Sequence, residues 1–238
     1  MGVPLCFLLT PARTLIGDRT SKCSQAPCDL VFVKLAGQGS TVLAYPALQR
    51  AVEMVGRQNV HFVAFGENRF ILDVLGVIPE ANVITISPKN LTSLLWSACR
   101  ATRKIRRLRV SSAIDLDFFS RGSAAFVYLT GATQRVGFHA FFGAGPYRGN
   151  LMTRRLMYNP HLHTSQTFRM RVEALTCNPK TLPTFDRSLP LTMAEPPQFV
   201  PRPEELATVE EMLGWRAGER PMLVLLNPNC SDLLPLRR

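Results

Sequence analysis

The sequence predicts an α/β fold, a Rossmann-like parallel sheet with helices on both faces. Three observations carry that expectation. Compact apolar runs recur through the first 140 residues, each is followed by a stretch with helical spacing, and the links between them are short.

The first run, 29–34 (DLVFVK), reads as a buried parallel strand and stops at the turn Gly37-Gln-Gly-Ser-Thr41. A helix is expected next, capped by Ser40 or Thr41. Its apolar stripe is Val42, Leu43, Ala47, Leu48, Ala51, Val52 and Val55, and Gly56 ends it. The pattern repeats as a strand at 60–65, a short helix at 69–75, a strand at 82–86 and a helix at 91–107. A strand at 110–118 and a helix from 123 to 129 follow. After Val136-Gly-Phe138 the glycines and proline of 143–149 predict a loop, and helical spacing resumes at 164–175. Trp96 and Trp215 are read as core or helix-packing residues.

Residues 1–178 are therefore expected to form one domain. Seven prolines between 179 and 203 predict a linker, because helices and central strands do not tolerate that density. A helix at 204–213 and the apolar run 222–226 predict the start of a second strand-and-helix domain over 204–238, left incomplete at Arg238.

The 238 residues, 46% hydrophobic, suffice for a packed core without metal or disulfide staples. Twenty-eight Lys and Arg against 17 Asp and Glu give a net charge of +11, which favours phosphorylated sugars, anionic lipid or nucleic acid as partners. The six cysteines are scattered, and Cys23 and Cys28 have no second Cys/His pair to complete a zinc tetrahedron. They fit a reducing compartment. The apolar run from Val3 to Leu9 lacks the flanks of a signal peptide and is expected to pack on the domain or touch a membrane surface. A cytoplasmic protein, peripheral to a membrane where that run touches one, is the expectation.

Gly37-x-Gly39 after a strand offers backbone N–H groups to an anion or simply a tight turn. The dinucleotide fingerprint is incomplete, since Val42 replaces its third glycine, which argues against a nicotinamide or flavin site. His161 and His163 lack carboxylate or thiol support for a metal and are placed at a loop or helix start, so no metal and no cofactor are predicted. The cations Arg100, Arg103, Lys104, Arg106, Arg107 and Arg109 crowd one helix and its exit. They suit either solvent or anionic phosphates, and no aromatic interleaving points to nucleic acid.

Residues 33–48 (VKLAGQGSTVLAYPAL) resemble the opening strand, loop and helix of family 9 glycosyltransferases, the heptosyltransferase-type enzymes of lipopolysaccharide assembly. Residues 113–138 (AIDLDFFSRGSAAFVYLTGATQRVGF) are similar to that family's Asp-bearing strand and following helix, and 223–238 (LVLLNPNCSDLLPLRR) to the first strand and phosphate loop of its second domain. The resemblance implies a two-domain GT-B architecture, of which this chain supplies the N-terminal domain with the C-terminal one truncated. It implies inverting transfer of a sugar such as heptose from a nucleotide-sugar such as ADP-heptose to a lipopolysaccharide-core-like, phosphorylated or lipid-linked acceptor.

Carried over by position, Lys34, Gly37, Gly39, Ser40 and Thr41 would bind the acceptor, and Asn227, Asn229, Ser231, Arg237 and Arg238 the nucleotide-sugar. The family's catalytic aspartate falls on Ser40, and a hydroxyl is no base without help. Asp115 and Asp117, two apart and hence on one face of a strand, are the replacement candidates, with a strand end or a helix cap as their ordinary role. The alternative function is a non-catalytic Rossmann-like module that binds anions or a membrane surface.

Overall fold

In the computed structural model, residues 2–16, 28–139, 147–178, 197–215 and 222–226 are described. The chain divides into two compact units, 1–197 and 198–238. In the first, six parallel strands form one sheet in the order β3-β2-β1-β4-β5-β6. They are β1 (Leu30–Val33), β2 (Val60–Phe65), β3 (Val83–Ile86), β4 (Ser112–Asp115), β5 (Gln134–Phe138) and β6 (Arg154–Leu156). The helices of this unit are α1 (Gly2–Ile16), α2 (Gln38–Val42), α3 (Tyr45–Val55), α4 (Arg69–Leu75), α5 (Leu91–Leu108), α6 (Arg121–Leu129) and α7 (Thr164–Glu173).

Side-chain alternation splits the core into two layers. Leu30 and Phe32 of β1 and Phe62 of β2 point to one face, where Ala47, Leu48 and Ala51 of α3 and Phe168 and Val172 of α7 meet them. Val31 and Val33 point to the other, covered by Cys6 of α1, Ala101 and Ile105 of α5, and Ala124 and Val127 of α6. All four residues of β1 are fully buried, which is why that segment is apolar without alternation.

β1 to β3, α4, α5 and α7 fall where the spacing predicts, and several details differ. The expected helix from 42 to 55 is two helices with a break at Leu43 and Ala44. Ser40 and Thr41 lie inside α2, whose N-cap is Gly37 at φ 90°. The strand expected over 110–118 closes at Asp115, where the Asp115 carboxylate accepts from the Asp117 N–H at 3.1 Å and turns the chain. Residues 3–9 lie in helix α1, with Cys6 packed inward.

β5 and β6 escape a periodicity argument because they carry buried arginines. Arg135 donates to the carbonyls of Leu151 and Ala132, at 2.8 and 2.7 Å, and lies over the Tyr128 ring. Arg154 donates to Gln134 Oε1 at 3.1 Å and the Ala174 carbonyl at 2.7 Å. A guanidinium becomes tolerable in a core when its donors end on backbone oxygens. Gly137 of β5 lies under Met152. A Cβ there would come 3.0 Å from the Met152 sulfur and 3.3 Å from Asp115 Cβ.

In the second unit, α8 (Pro203–Leu213) starts at a proline and stops at Gly214 in the left-handed region. Residues 222–226, expected as a strand, carry no regular structure and are exposed, with no strand beside them among the described residues. Residues 179–196 of the proline-rich stretch lie outside the described residues. No helix among the described residues is long and apolar enough to cross a membrane.

Phe62 is fully buried between β1 and the α3 layer, with its ring 6.1 Å from that of Phe32. Phe62→Ala is expected to destabilise the first unit by about 3–5 kcal/mol, read as a lower urea midpoint at an unchanged slope.

Candidate functional site

Strand order reverses between β1 and β4. β1 leads outward through β2 to β3, whereas β4 leads the other way. Such a switch point leaves a crevice outside the carboxyl ends of the two strands, where open parallel sheets bind ligands. The residues that follow β1 and end β4 line it.

Lys34, the residue after β1, is 4% exposed. Its Nζ donates to the Ala36 carbonyl at 2.8 Å and lies 3.7 Å from Asp117 Oδ1. Asp117 Oδ2 accepts from the Leu35 N–H at 3.3 Å. The carboxylate beyond β4 is thus tied to both the backbone and the cation beyond β1, across the switch point. Gly37 sits between Lys34 and Ser40. A Cβ there would lie 2.7 Å from Ser40 Oγ and 3.7 Å from Lys34 Nζ, and its φ of 90° disfavours any other residue.

Ser40 Oγ and Thr41 Oγ1 both donate to the Gly37 carbonyl, at 2.9 and 3.0 Å, so both hydroxyl protons are spent on closing the loop. Ser40 stays half-exposed and Thr41 is buried. Gly39 faces open space, and the structure gives no steric reason for a glycine there.

The two aspartates have separate roles. Asp115 is fully buried. Its Oδ2 is ion-paired with Arg148 and accepts from Ser123 Oγ at 3.1 Å, while its carbonyl accepts from Arg171 Nη1 at 2.6 Å. This carboxylate is consumed in structure. Asp117 keeps 15% of its side chain accessible. Burial, and then the charge of Asp115, push its carboxyl up to about 6, against the opposing pull of Lys34. Burial also lowers the Lys34 ammonium, with Asp117 working against it. A carboxylate held near neutral, with an open edge at a switch-point crevice, has the properties of a general base.

Arg148 and Arg171 carry no role in the sequence reading. Arg171 is fully buried, 4.2 Å from the Phe138 ring centre and 5.2–5.3 Å from those of Phe118 and Phe168. Burial brings its guanidinium down to about 9, which leaves it cationic at neutral pH. One signal was available for it: Arg171 sits on the apolar stripe of α7, three residues after Phe168 and four before Leu175. Arg148 lies in a glycine-rich loop with no pattern to mark it.

His163 caps α7, with Nδ1 accepting from the Ser165 N–H at 3.3 Å and Gln166 closing the capping box. Among the described residues no His, Cys, Asp and Glu cluster is placed to hold a metal. Asn227, Asn229, Ser231, Arg237 and Arg238 lie outside the described residues. Trp96, read as a core or helix-packing residue, is 67% exposed and so no part of the core.

Fold and crevice together define a Rossmann-type α/β unit with its polar groups gathered at the switch point. No protein-family model matches the sequence, and no curated protein matches it significantly. Solved structures do. A family 9 glycosyl transferase from Veillonella parvula superposes with a TM-score of 0.60 at 13% identity, over 83% of this chain and 53% of that one. ADP-heptose lipopolysaccharide heptosyltransferase II of Escherichia coli superposes with a TM-score of 0.57 at 12% identity, over 79% and 51%. The fold of this chain is the one found in these glycosyltransferases, and the chain spans about half their length.

Two outcomes follow. Between pH 4 and 6 the first unit should lose stability as Asp117 ionises. The folded-state value lies above the unfolded one near 3.8, so the contribution is complete below about 4 and gone above about 6. Asp117→Asn is expected to flatten that slope in urea unfolding across this range. Arg148→Met, which leaves Asp115 buried and uncompensated, should cost about 3–5 kcal/mol in the same measurement at pH 7.

Proposed function

We propose that residues 1–197 are the acceptor side of an inverting glycosyltransferase, with Asp117 as its base. The carrying observation is the position of Asp117. It is a carboxylate with a value near 6, half a turn of chain past β4, facing the switch-point crevice of a glycosyltransferase fold. Ser40 at the aligned position is bound to the Gly37 carbonyl and fits a positioning role.

In the proposed step an acceptor hydroxyl gives its proton to Asp117 as its oxygen bonds to the anomeric carbon of the donor. The bond from that carbon to the nucleoside diphosphate breaks, and the diphosphate leaves with the electron pair. Lys34 holds Asp117 in place and keeps it anionic above about pH 6. The donor is a nucleotide-sugar, ADP-heptose by analogy with the Escherichia coli enzyme, and the acceptor a phosphorylated lipopolysaccharide-core saccharide on the cytoplasmic side of the inner membrane. The donor contacts would come from 227–238 and from a second domain.

Titration calorimetry of this chain with a phosphorylated core oligosaccharide tests the acceptor site directly. Binding by the wild type and by Asp117→Asn is expected. With a family 9 donor-binding half fused in cis, transfer from ADP-heptose should fall about 10²–10⁴-fold in Asp117→Asn and only a few-fold in Ser40→Ala. A folded chain that binds no saccharide, or a fused Asp117→Asn enzyme of undiminished activity, overturns the reading. Binding of anions alone would favour the non-catalytic alternative.

A further inference from the structure

The layer of helices α1, α5 and α6 carries exposed apolar side chains beside the basic cluster, and nothing in the crevice chemistry uses them. On α5, Leu91, Leu95 and Trp96 are each more than half exposed, although Ala101 and Ile105 of the same helix are buried. One turn further on, Arg100, Arg103, Lys104 and Arg107 line a hollow of about 460 Å³ together with Trp96 and Leu108. The Arg100 guanidinium lies 5.7 Å from the centre of the Trp96 ring. From Leu91 to Arg109 the sequence contains no Asp or Glu, and none of these four cations is ion-paired among the described residues.

α1 repeats the pattern on the same layer. Its Cys6 is buried, with Sγ 3.7 Å from the Arg121 carbonyl at the start of α6, while Phe7 and Leu8 are about two-thirds exposed. α5 follows the carboxyl end of β3, and α6 follows that of β4. The apolar starts of α1 and α5 therefore lie toward the carboxyl edge of the sheet, the edge that holds Lys34 and Asp117.

We infer that this face docks on an anionic lipid bilayer. Leu91, Leu95 and Trp96 enter the headgroup boundary, and the four cations of α5 meet lipid phosphates. Charge complementarity selects the surface, because cations without counter-charges gain from a negative leaflet. The apolar side chains select a bilayer over nucleic acid. A tryptophan beside leucines suits the boundary of headgroup and acyl chain, whereas leucines have no partner on a phosphate backbone. The docking is independent of any transfer at the crevice, so the two readings fail separately. It would set the crevice mouth toward the leaflet.

The sequence has two tryptophans, so Trp215→Phe leaves Trp96 as the only indole emitter. Mixed with phosphatidylcholine vesicles holding about 30% phosphatidylglycerol at about 0.1 M salt, this variant should sediment with lipid and shift its emission to the blue. It should do neither with pure phosphatidylcholine. Replacing Arg100, Arg103 and Arg107 together by serine, all exposed positions, should weaken binding roughly a hundredfold, with the circular dichroism spectrum unchanged. Trp96→Ser, tested by sedimentation, should weaken it as well. No blue shift on anionic vesicles, undiminished binding by the triple variant, or tighter binding to a single-stranded oligonucleotide than to vesicles would each overturn the inference.

Discussion

A fully buried carboxylate organises this unit. Asp115 ends β4 in the middle of the sheet, and an ionised carboxylate there would cost several kcal/mol without partners. The structure supplies them from three directions: Arg148 from the loop before β6, Ser123 from α6, and Arg171 of α7 on the adjoining carbonyl. Loop, helix and strand are thereby tied at one point, and α7 reaches through the other layer to do so. The aromatic rings of Phe118, Phe138 and Phe168 form the low-polarity wall that makes the arrangement sensitive to any lost partner.

The same constraint shapes Asp117. Itself withdrawn from water beside the enclosed Asp115 carboxylate, it cannot ionise freely, and burial first and that neighbouring charge second retain its proton to higher pH. Lys34 moderates the effect without cancelling it, because the ammonium is itself nearly buried and weakened. The base strength proposed for the crevice is therefore set by the demands of the core as much as by the crevice. Stability and reactivity draw on one charge network at this edge of the sheet.

What was legible in the sequence follows this division between apolar and polar construction. β1 to β4 are short and buried on both faces, so runs such as VFVK and VHFVAF announce themselves, and α5 is bounded by a good N-cap, Asn90, whose side chain accepts from the Ser93 N–H. β5 and β6 were not legible. Their buried residues include Arg135 and Arg154, and only the folded chain shows the carbonyls that make those arginines tolerable. At the crevice, Lys34, Gly37, Asp115 and Asp117 could all be named in advance, since each lies at a strand end or tight turn. Spacing could not separate the two aspartates. The difference between them is made by Arg148, 33 residues further along the chain, and by the turn that ends β4 early. Trp96 was misplaced because aromatic residues at helical spacing usually face inward, and α5 uses alanine and isoleucine for that face instead.

Gly137 has a consequence for inheritance. Every missense change of a glycine codon adds at least a Cβ, and at this position that carbon would press on Met152 and on Asp115 Cβ at once. The methionine is supple and can yield. Asp115, pinned by Arg148 and Ser123, cannot move without releasing its partners. A single codon in β5, remote from the crevice in sequence, is thus coupled mechanically to its carboxylates.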